Sequence, residues 1–485
     1  MLFRRITDPH LAQNAYLIGC QRTGGALIID PQRDVDRYVE LARAEGLEIV
    51  AATETHIHAD YLSGVRELAA RGVKVYLSDE GGDDWRYRWA SDEDIDSELL
   101  LDIDSELLLD GDSFRVGNIE FQARHTPGHT PEHLSFLVID HGSGVDEPMG
   151  LASGDFVFVG DLGRPDLLET AAGEVGARDP SARALYRSVQ DFLELPDFLQ
   201  LWPGHGAGSA CGKALGAVPT STVGYEKRFN ASIADARVSE QAFVDAILHG
   251  QPEPPTYFAR MKQLNRSGPP ILGELPEPRH LSINDLEGIL EDPDAVVVDT
   301  RSDRTAFMNG HLPGALYAPL GKSFPTITGS YILPEQKIIL ILDADRVDEA
   351  VRDLIRIGLD QVVGYFTPNI LEGYVGYGHE LQQIEILDFE AASQLDQVAG
   401  GPGDRNGDRN LALDVRSITE YETRHLPGAL NIAHTRLAAR ADELPTDRRL
   451  LVYCRTGARA SYAAAYLQRA GYDVAYVDDK IEKWS

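Results

Sequence analysis

Two stretches of this 485-residue chain repeat one another in residue type and spacing. Val296-Val297-Val298-Asp299-Thr300-Arg301-Ser302 is followed by Gly310-His311-Leu312-Pro313-Gly314-Ala315-Leu316, and Leu411-Ala412-Leu413-Asp414-Val415-Arg416-Ser417 is followed by Arg424-His425-Leu426-Pro427-Gly428-Ala429-Leu430. Two copies of one α/β unit therefore fill the C-terminal half. The length suggests about three domains at the common size of ~150 residues each, which leaves the N-terminal half for one larger domain.

In that half, strand-like runs at 15–18, 25–30, 47–53, 73–77, 119–124, 134–139 and 156–159 alternate with loops and with helical patterns at 34–45 and 63–71, predicting a mixed α/β layered domain. An eight-residue segment, Asp94 to Leu101, is copied at once as Asp102 to Leu109; this is too short for a solenoid and reads as a surface excursion. The stretch from Gln251 is rich in proline without any sustained period and predicts a linker. The expected division is a first domain at 1–250, a linker at 251–278, and α/β units at 279–387 and 388–485. Gly400 to Asn410 reads as a loop inside the last.

Potential metal ligands arrive on separate strand ends. His56 and His58, spaced i, i+2, follow the run at 47–53; then come His125-Thr126-Pro127-Gly128-His129, Ser153-Gly154-Asp155 and Trp202-Pro203-Gly204-His205. In this order, with these turns, the four motifs resemble the metallo-β-lactamase fold superfamily over residues 1–250. Members with two metals carry His-x-His-x-Asp-His, whereas here Tyr61 stands at the last position, which favours a mononuclear site. The branch resembled most is the persulfide dioxygenases, whose single Fe(II) is held by two histidines and a carboxylate. The resemblance implies His56, His129 and Asp155 as ligands, with His58, Asp60, Tyr61 and His205 as outer or vestigial second-site residues. Such a triad leaves positions open for O2 and a substrate sulfur, whereas closed structural zinc sites leave none. Asp161 is a rival ligand, but the family carries its ligand in the earlier Gly-Asp, ahead of a Gly-Arg-x-Asp element seen here as Gly163-Arg164-Pro165-Asp166. Arg164 and Asp166 are then expected at the anionic substrate. Cys211, six residues after His205, is a candidate sulfur-handling thiol or an inert buried one.

Near the other end, the apolar run Leu450 to Tyr453 leads to Cys454-Arg455-Thr456-Gly457-Ala458-Arg459 and then to a helix expected at 461–470. Amides at a helix N-terminus, with Arg455 and Arg459 nearby, would lower the thiol pKa and stabilise an anionic persulfide. The repeat and this loop resemble the rhodanese sulfurtransferases over 388–485. Four residues separate the cysteine from Arg459, whereas related phosphatases have five, so sulfur is favoured over phosphate. In the first copy the equivalent run, Ile338 to Leu342, ends at Asp343-Ala344-Asp345, with neither cysteine nor glycine, and reads as a non-catalytic spacer.

The fold expected is thus α/β and multidomain: an αββα metallo-β-lactamase-like sandwich followed by two rhodanese-like domains. A net charge of −32 opposes nucleic acid and anionic membranes as partners. The three cysteines, Cys20, Cys211 and Cys454, are too widely spaced for a disulfide framework, and no stretch reaches the ~18 unbroken apolar residues of a membrane span, so a cytoplasmic protein is expected. The arrangement resembles the multidomain persulfide dioxygenase-sulfurtransferases of sulfide detoxification. This implies one Fe(II) per chain, O2, a low-molecular-weight persulfide of glutathione, coenzyme A or another thiol, release of sulfite, thiosulfate formation through Cys454, and a homo-oligomer. Alternatives are a zinc-dependent thioester hydrolase resembling glyoxalase II, and a sulfur-relay or sensor module.

Overall fold

The computed structural model describes residues 1–90, 103–170, 173–213, 215–216, 218–394 and 410–483. The chain divides into two compact units, Met1–Glu274 and Leu275–Ser485.

The first unit is built on two six-stranded sheets. One runs in the order β1 to β6: Leu2–Asp8, Gln13–Gly19, Gly25–Ile29, Glu48–Thr53, Lys74–Ser78 and Ser105–Leu108. The other holds β7 to β12: Ser113–Val116, Ile119–His125, Leu134–Asp140, Gly150–Gly154, Gln200–Pro203 and Ser221–Thr222. Tyr16, Ile18, Leu27 and Ile29 of the first sheet meet Phe121, Phe136, Val138 and Trp202 of the second in one core. The alternate residues Leu17 and Ile28 face Tyr38, Val65 and Leu68 on the outer side. On the other outer face, Leu137, Leu151 and Leu201 meet Leu185, Val189 and Phe192 of the helix Arg178–Leu193. Burial on both faces explains why these strands read as continuous apolar runs rather than alternating ones. The result is an αββα sandwich.

Three expectations change. Phe156 to Val159 is not a strand: β10 lies one step earlier, and Phe156 and Val157 are buried by the loop beyond it, where they join the outer core. The second copy of the tandem repeat supplies β6, paired in parallel with β5, while the first copy lies outside the described residues. The proline-rich stretch contains the helix Tyr257–Ser267, which belongs to the first unit. Its Asn265 donates to the carbonyls of His58 (2.8 Å) and Tyr61 (2.7 Å) and accepts from the Ser63 amide (2.9 Å). Tertiary contacts supply the helix with what its sequence period does not announce.

The second unit holds two all-parallel five-stranded sheets of matching order. Numbered on, β13 to β17 are Arg279–His280, Ala295–Asp299, Leu316–Tyr317, Lys337–Ile341 and Val362–Phe366; β18 to β22 are Glu385–Leu387, Asn410–Asp414, Leu430–Asn431, Arg449–Tyr453 and Val474–Val477. The orders are β13-β17-β16-β14-β15 and β18-β22-β21-β19-β20. The repeated residues make the same latch twice. Arg301 forks onto Asp299 and donates to the Gly310 carbonyl; Arg416 forks onto Asp414 and donates to the Arg424 carbonyl. The loop expected at 400–410 lies outside the described residues except Asn410, which opens β19. Among the described residues no helix is long and apolar enough to cross a membrane.

Candidate functional site

Five chemistry-bearing residues of the first unit follow the carboxyl end of a strand: Asp30 after β3, His56 after β4, His129 after β8, Asp155 after β10 and His205 after β11. His56, His129 and Asp155 are buried, with ligand atoms within 4.8 Å of one another. Asp155 Oδ2 lies 3.6 Å from His129 Nε2 and 3.9 Å from His56 Nε2, too far for hydrogen bonds but close to what two donors each ~2.1 Å from one ion would span.

The surroundings fix both imidazoles in one tautomer. His129 Nδ1 meets the Arg164 carbonyl at 3.1 Å; a carbonyl only accepts, so Nδ1 carries the proton and the Nε2 lone pair faces Asp155. The Thr55 hydroxyl donates to Asp30 Oδ2 (3.0 Å) and accepts from His56 Nδ1 (3.0 Å), with the same effect. Asp30 holds this arrangement in a left-handed backbone conformation, φ 52°, with its Oδ1 accepting the Thr55 amide at 2.6 Å. A non-glycine residue at positive φ is strained, and here the strain sits at the site. His133, stacked on His56 with centroids 5.1 Å apart, accepts the Asp155 amide at 3.1 Å and so orients the carboxylate. Gly154 (φ 50°) allows the close approach: a Cβ there would lie 2.4 Å from Thr55 Oγ1.

Burial depresses the basicity of both imidazoles, His129 to about 3 and His56 well below its ordinary value, so both stay neutral with a free lone pair. Burial also pushes the Asp155 carboxyl up to about 6, and neither of its oxygens has a hydrogen-bond partner among the described residues. Two neutral nitrogen donors and an orphaned buried carboxylate fit a bound divalent cation.

A second buried group shares Asp155. His205 Nε2 lies 3.6 Å from Asp155 Oδ1 and 3.4 Å from Asp60 Oδ2, and Asp60, His205 and Cys211 bring ligand atoms within 4.8 Å of one another. Cys211, read from the sequence as a sulfur-handling or an inert thiol, thus joins Asp60 and His205. Burial, with Asp60 and Asp155, raises its thiol well above the ordinary range. Tyr61 adds no ligand: its ring stacks on His58 at 4.4 Å and its hydroxyl donates to the Asp30 carbonyl at 3.3 Å. Burial opposes charge on His58, but Asp30, bonded at 3.2 Å, with Glu54 and Asp60, lifts it to about 9.

Arg164, expected at the substrate, is braced within the protein. It is 1% exposed, forks onto Asp166 (3.1 and 2.7 Å) and donates to the carbonyls of Ala210 (3.1 Å), next to Cys211, and Pro252 (2.6 Å). Sequence reasoning missed Asp30, Thr55, His133 and Lys262. Of these only His133 carried a signal, four residues after His129 in a histidine-rich turn. Lys262 reaches over the Trp85 ring at 3.7 Å, and burial pushes its pKa down.

In the second unit Cys454 is buried where β21 turns into the helix Ala458–Arg469, which begins earlier than expected because Gly457 (φ 87°) caps it. A Cβ on Gly457 would fall 2.3 Å from Asp478 Oδ1, so only glycine fits. Arg459 therefore lies within the first turn, and both its terminal nitrogens bind Glu420, at 2.5 and 2.8 Å. Arg455 points outward, 65% exposed, with Nε 3.3 Å from Glu482. The expected cations are present but each is matched by a carboxylate, leaving the helix N-terminus as the feature of the loop that favours an anionic sulfur. In the first copy β16 runs into a short turn at Ala344–Arg346, where Arg346 pairs with Glu349 at 2.6 Å.

Comparisons with known proteins agree with this geometry. Residues 8–205 match the metallo-beta-lactamase superfamily model and residues 402–485 the rhodanese-like domain. A solved metallo-beta-lactamase from Staphylococcus aureus subsp. aureus COL is 39% identical, with a TM-score of 0.66, covering 76% of this chain and 99% of that one. The mitochondrial persulfide dioxygenase of Homo sapiens is 27% identical over 209 residues, 42% of this chain and 68% of that protein. A beta-lactamase hydrolase-like protein of Xylella fastidiosa (strain 9a5c) is 31% identical over 317 residues, 58% of this chain and 64% of that protein.

Proposed function

Since the chain belongs to the metallo-β-lactamase superfamily over residues 8–205 and carries a rhodanese-like domain over 402–485, we propose that it is a persulfide dioxygenase joined to a sulfurtransferase. The observation that carries this reading is the buried group of His56, His129 and Asp155, two neutral imidazoles against an unpartnered carboxylate. Fe(II) held there would supply the open positions and the redox chemistry that O2 requires. A small-molecule persulfide RSSH, O2 and water then give the thiol RSH, sulfite and two protons; the outer sulfur is oxidised and O2 reduced, and no other co-reactant is needed. Thr55 and the Arg164 carbonyl keep the imidazole lone pairs aimed, His133 keeps the carboxylate aimed, and burial excludes bulk water from the reacting atoms.

Cys454 takes the outer sulfur of a second persulfide: the donor S–S bond breaks as the cysteine persulfide forms and RS⁻ leaves. Sulfite attacks that outer sulfur, thiosulfate departs and the Cys454 thiolate returns. The first five-stranded sheet, β13 to β17, is in this reading a rhodanese-like copy that has lost its cysteine. Oxygen uptake by iron-loaded protein on addition of glutathione persulfide, with sulfite and thiosulfate quantified, tests the reading.

A second reading rests on the group of Asp60, His205 and Cys211 beside the triad. Two adjacent cations sharing Asp155 would suit thioester hydrolysis; two zinc ions per chain, and hydrolysis of an acyl-glutathione without oxygen uptake, would decide for it.

A further inference from the structure

The cysteine loop receives a third guanidinium from outside its own sheet. Arg304 opens the helix Arg304–Asn309, which follows β14 in the copy that has no cysteine, and Asp303 caps that helix by accepting the Ala306 amide at 3.0 Å. Its Nη2 donates to the Thr456 carbonyl at 3.1 Å and to Asp478 Oδ1 at 2.7 Å. Asp478 is the same side chain that packs against Gly457 at the start of the helix after Cys454.

Arg304 differs from the two arginines of the loop itself. Arg459 gives both terminal nitrogens to Glu420, and Arg455 points outward to Glu482. Of these three, Arg304 is the one bonded to the loop backbone. Nε and Nη2 are committed to Asp478 and the Thr456 carbonyl, which leaves Nη1 as the nitrogen bound to neither. In the repeat, the first helical residue that corresponds to Arg304 is Ile418 in the second copy, so this arginine is not a residue of the shared latch.

We propose that Arg304 is a positioning residue of the Cys454 site, supplied by the cysteine-less copy, which sets the loop and draws anionic sulfur compounds such as sulfite and thiosulfate to the thiol. The two copies then make one transfer site, and the first is more than a spacer. The inference rests on Cys454 being the sulfur carrier, but not on the metal centre.

The test is the rate at which Cys454 of the full chain is alkylated by anionic iodoacetate relative to neutral iodoacetamide, read at the Cys454 peptide by mass spectrometry; in both reagents the thiolate displaces iodide. Arg304→Gln is expected to lower the iodoacetate-to-iodoacetamide ratio about fivefold, the effect of removing one nearby charge at intermediate screening. Arg304→Lys should restore the ratio to within about twofold, and Asp478→Asn, which frees the guanidinium of its carboxylate, should raise it. A loop that is merely loosened would change both rates alike, and an unchanged ratio in Arg304→Gln together with no rise in Asp478→Asn overturns the proposal. If Cys454 of the unaltered protein reacts with neither reagent, the carrier reading fails and the proposal with it, whatever the oxygen uptake.

Discussion

His129 Nε2 stands 3.6 Å from Asp155 Oδ2, while the other oxygen of the same carboxylate lies 3.6 Å from His205 Nε2. One aspartate therefore faces two groups of donors, and whether the second group holds a cation beside the first separates the two chemistries open to this fold. The proposed dioxygenase needs the side of His56 and His129.

Removing a donor on each side should have unequal effects. His129→Ala is expected to abolish both metal content and oxygen uptake, whereas Cys211→Ser retains about one iron per chain. Metal analysis of the two purified variants checks this, and loss of a second equivalent of metal in Cys211→Ser would favour the two-cation reading.

The Thr55 hydroxyl relays between Asp30 and His56. Thr55→Val removes the acceptor that fixes the His56 tautomer and is expected to weaken metal binding about 10- to 100-fold, the usual effect of losing an outer partner. Competition titration against a chelator measures it.

Arg164 and Asp166 form a buried fork, with side chains 1% and 3% exposed. Arg164→Leu strands a buried carboxylate and should destabilise the first unit by about 3–5 kcal/mol, while replacing both partners by apolar residues should recover much of that. Thermal unfolding of the single and double variants checks the order. An Arg164→Leu protein of normal stability that had lost persulfide binding would instead restore the substrate role expected from the sequence.

Burial alone would raise Glu420, but the fork from Arg459, helped by Ser417, outweighs it and holds the carboxyl at about 2, below its ordinary 4.5. A carboxyl depressed in the folded state contributes stability that is complete above about pH 4.5 and is lost as pH falls toward 2. The difference in urea midpoint between the unaltered chain and Glu420→Gln should therefore be largest near pH 6 and narrow on acidification toward pH 3. A difference that grows on acidification contradicts the assignment. Because both side chains are part exposed, solvent screening keeps the effect small.

What the sequence made legible follows from local necessity. The repeated Asp-x-Arg and His-Leu-Pro-Gly elements stand out because each copy builds the same latch from them, and Arg301 and Arg416 bind their aspartates alike. His56, His129 and Asp155 could be named because their motifs stand in the order of the metallo-β-lactamase superfamily, with turns that include Gly154 before Asp155. Residues that act through tertiary contact were not legible. The helix at 257–267 is held by Asn265 reaching back to the His58 loop, across a separation that no period reveals. Phe156 and Val157 read as a strand because loop residues buried in a core have the same composition. Arg164 was placed at the substrate by its motif, but its motif partner Asp166 is also its ion-pair partner. Arg304 carried no signal, since its target lies in the other copy.

The measurement that bears most directly on the central claim is oxygen uptake by anaerobically purified, iron-analysed protein on addition of glutathione or coenzyme A persulfide, with and without Cys454→Ser. The account predicts about one iron per chain, uptake that survives Cys454→Ser, and a product that shifts from thiosulfate to sulfite in that variant. No uptake with either persulfide in iron-loaded protein would contradict it and leave the hydrolytic reading of the same fold in its place.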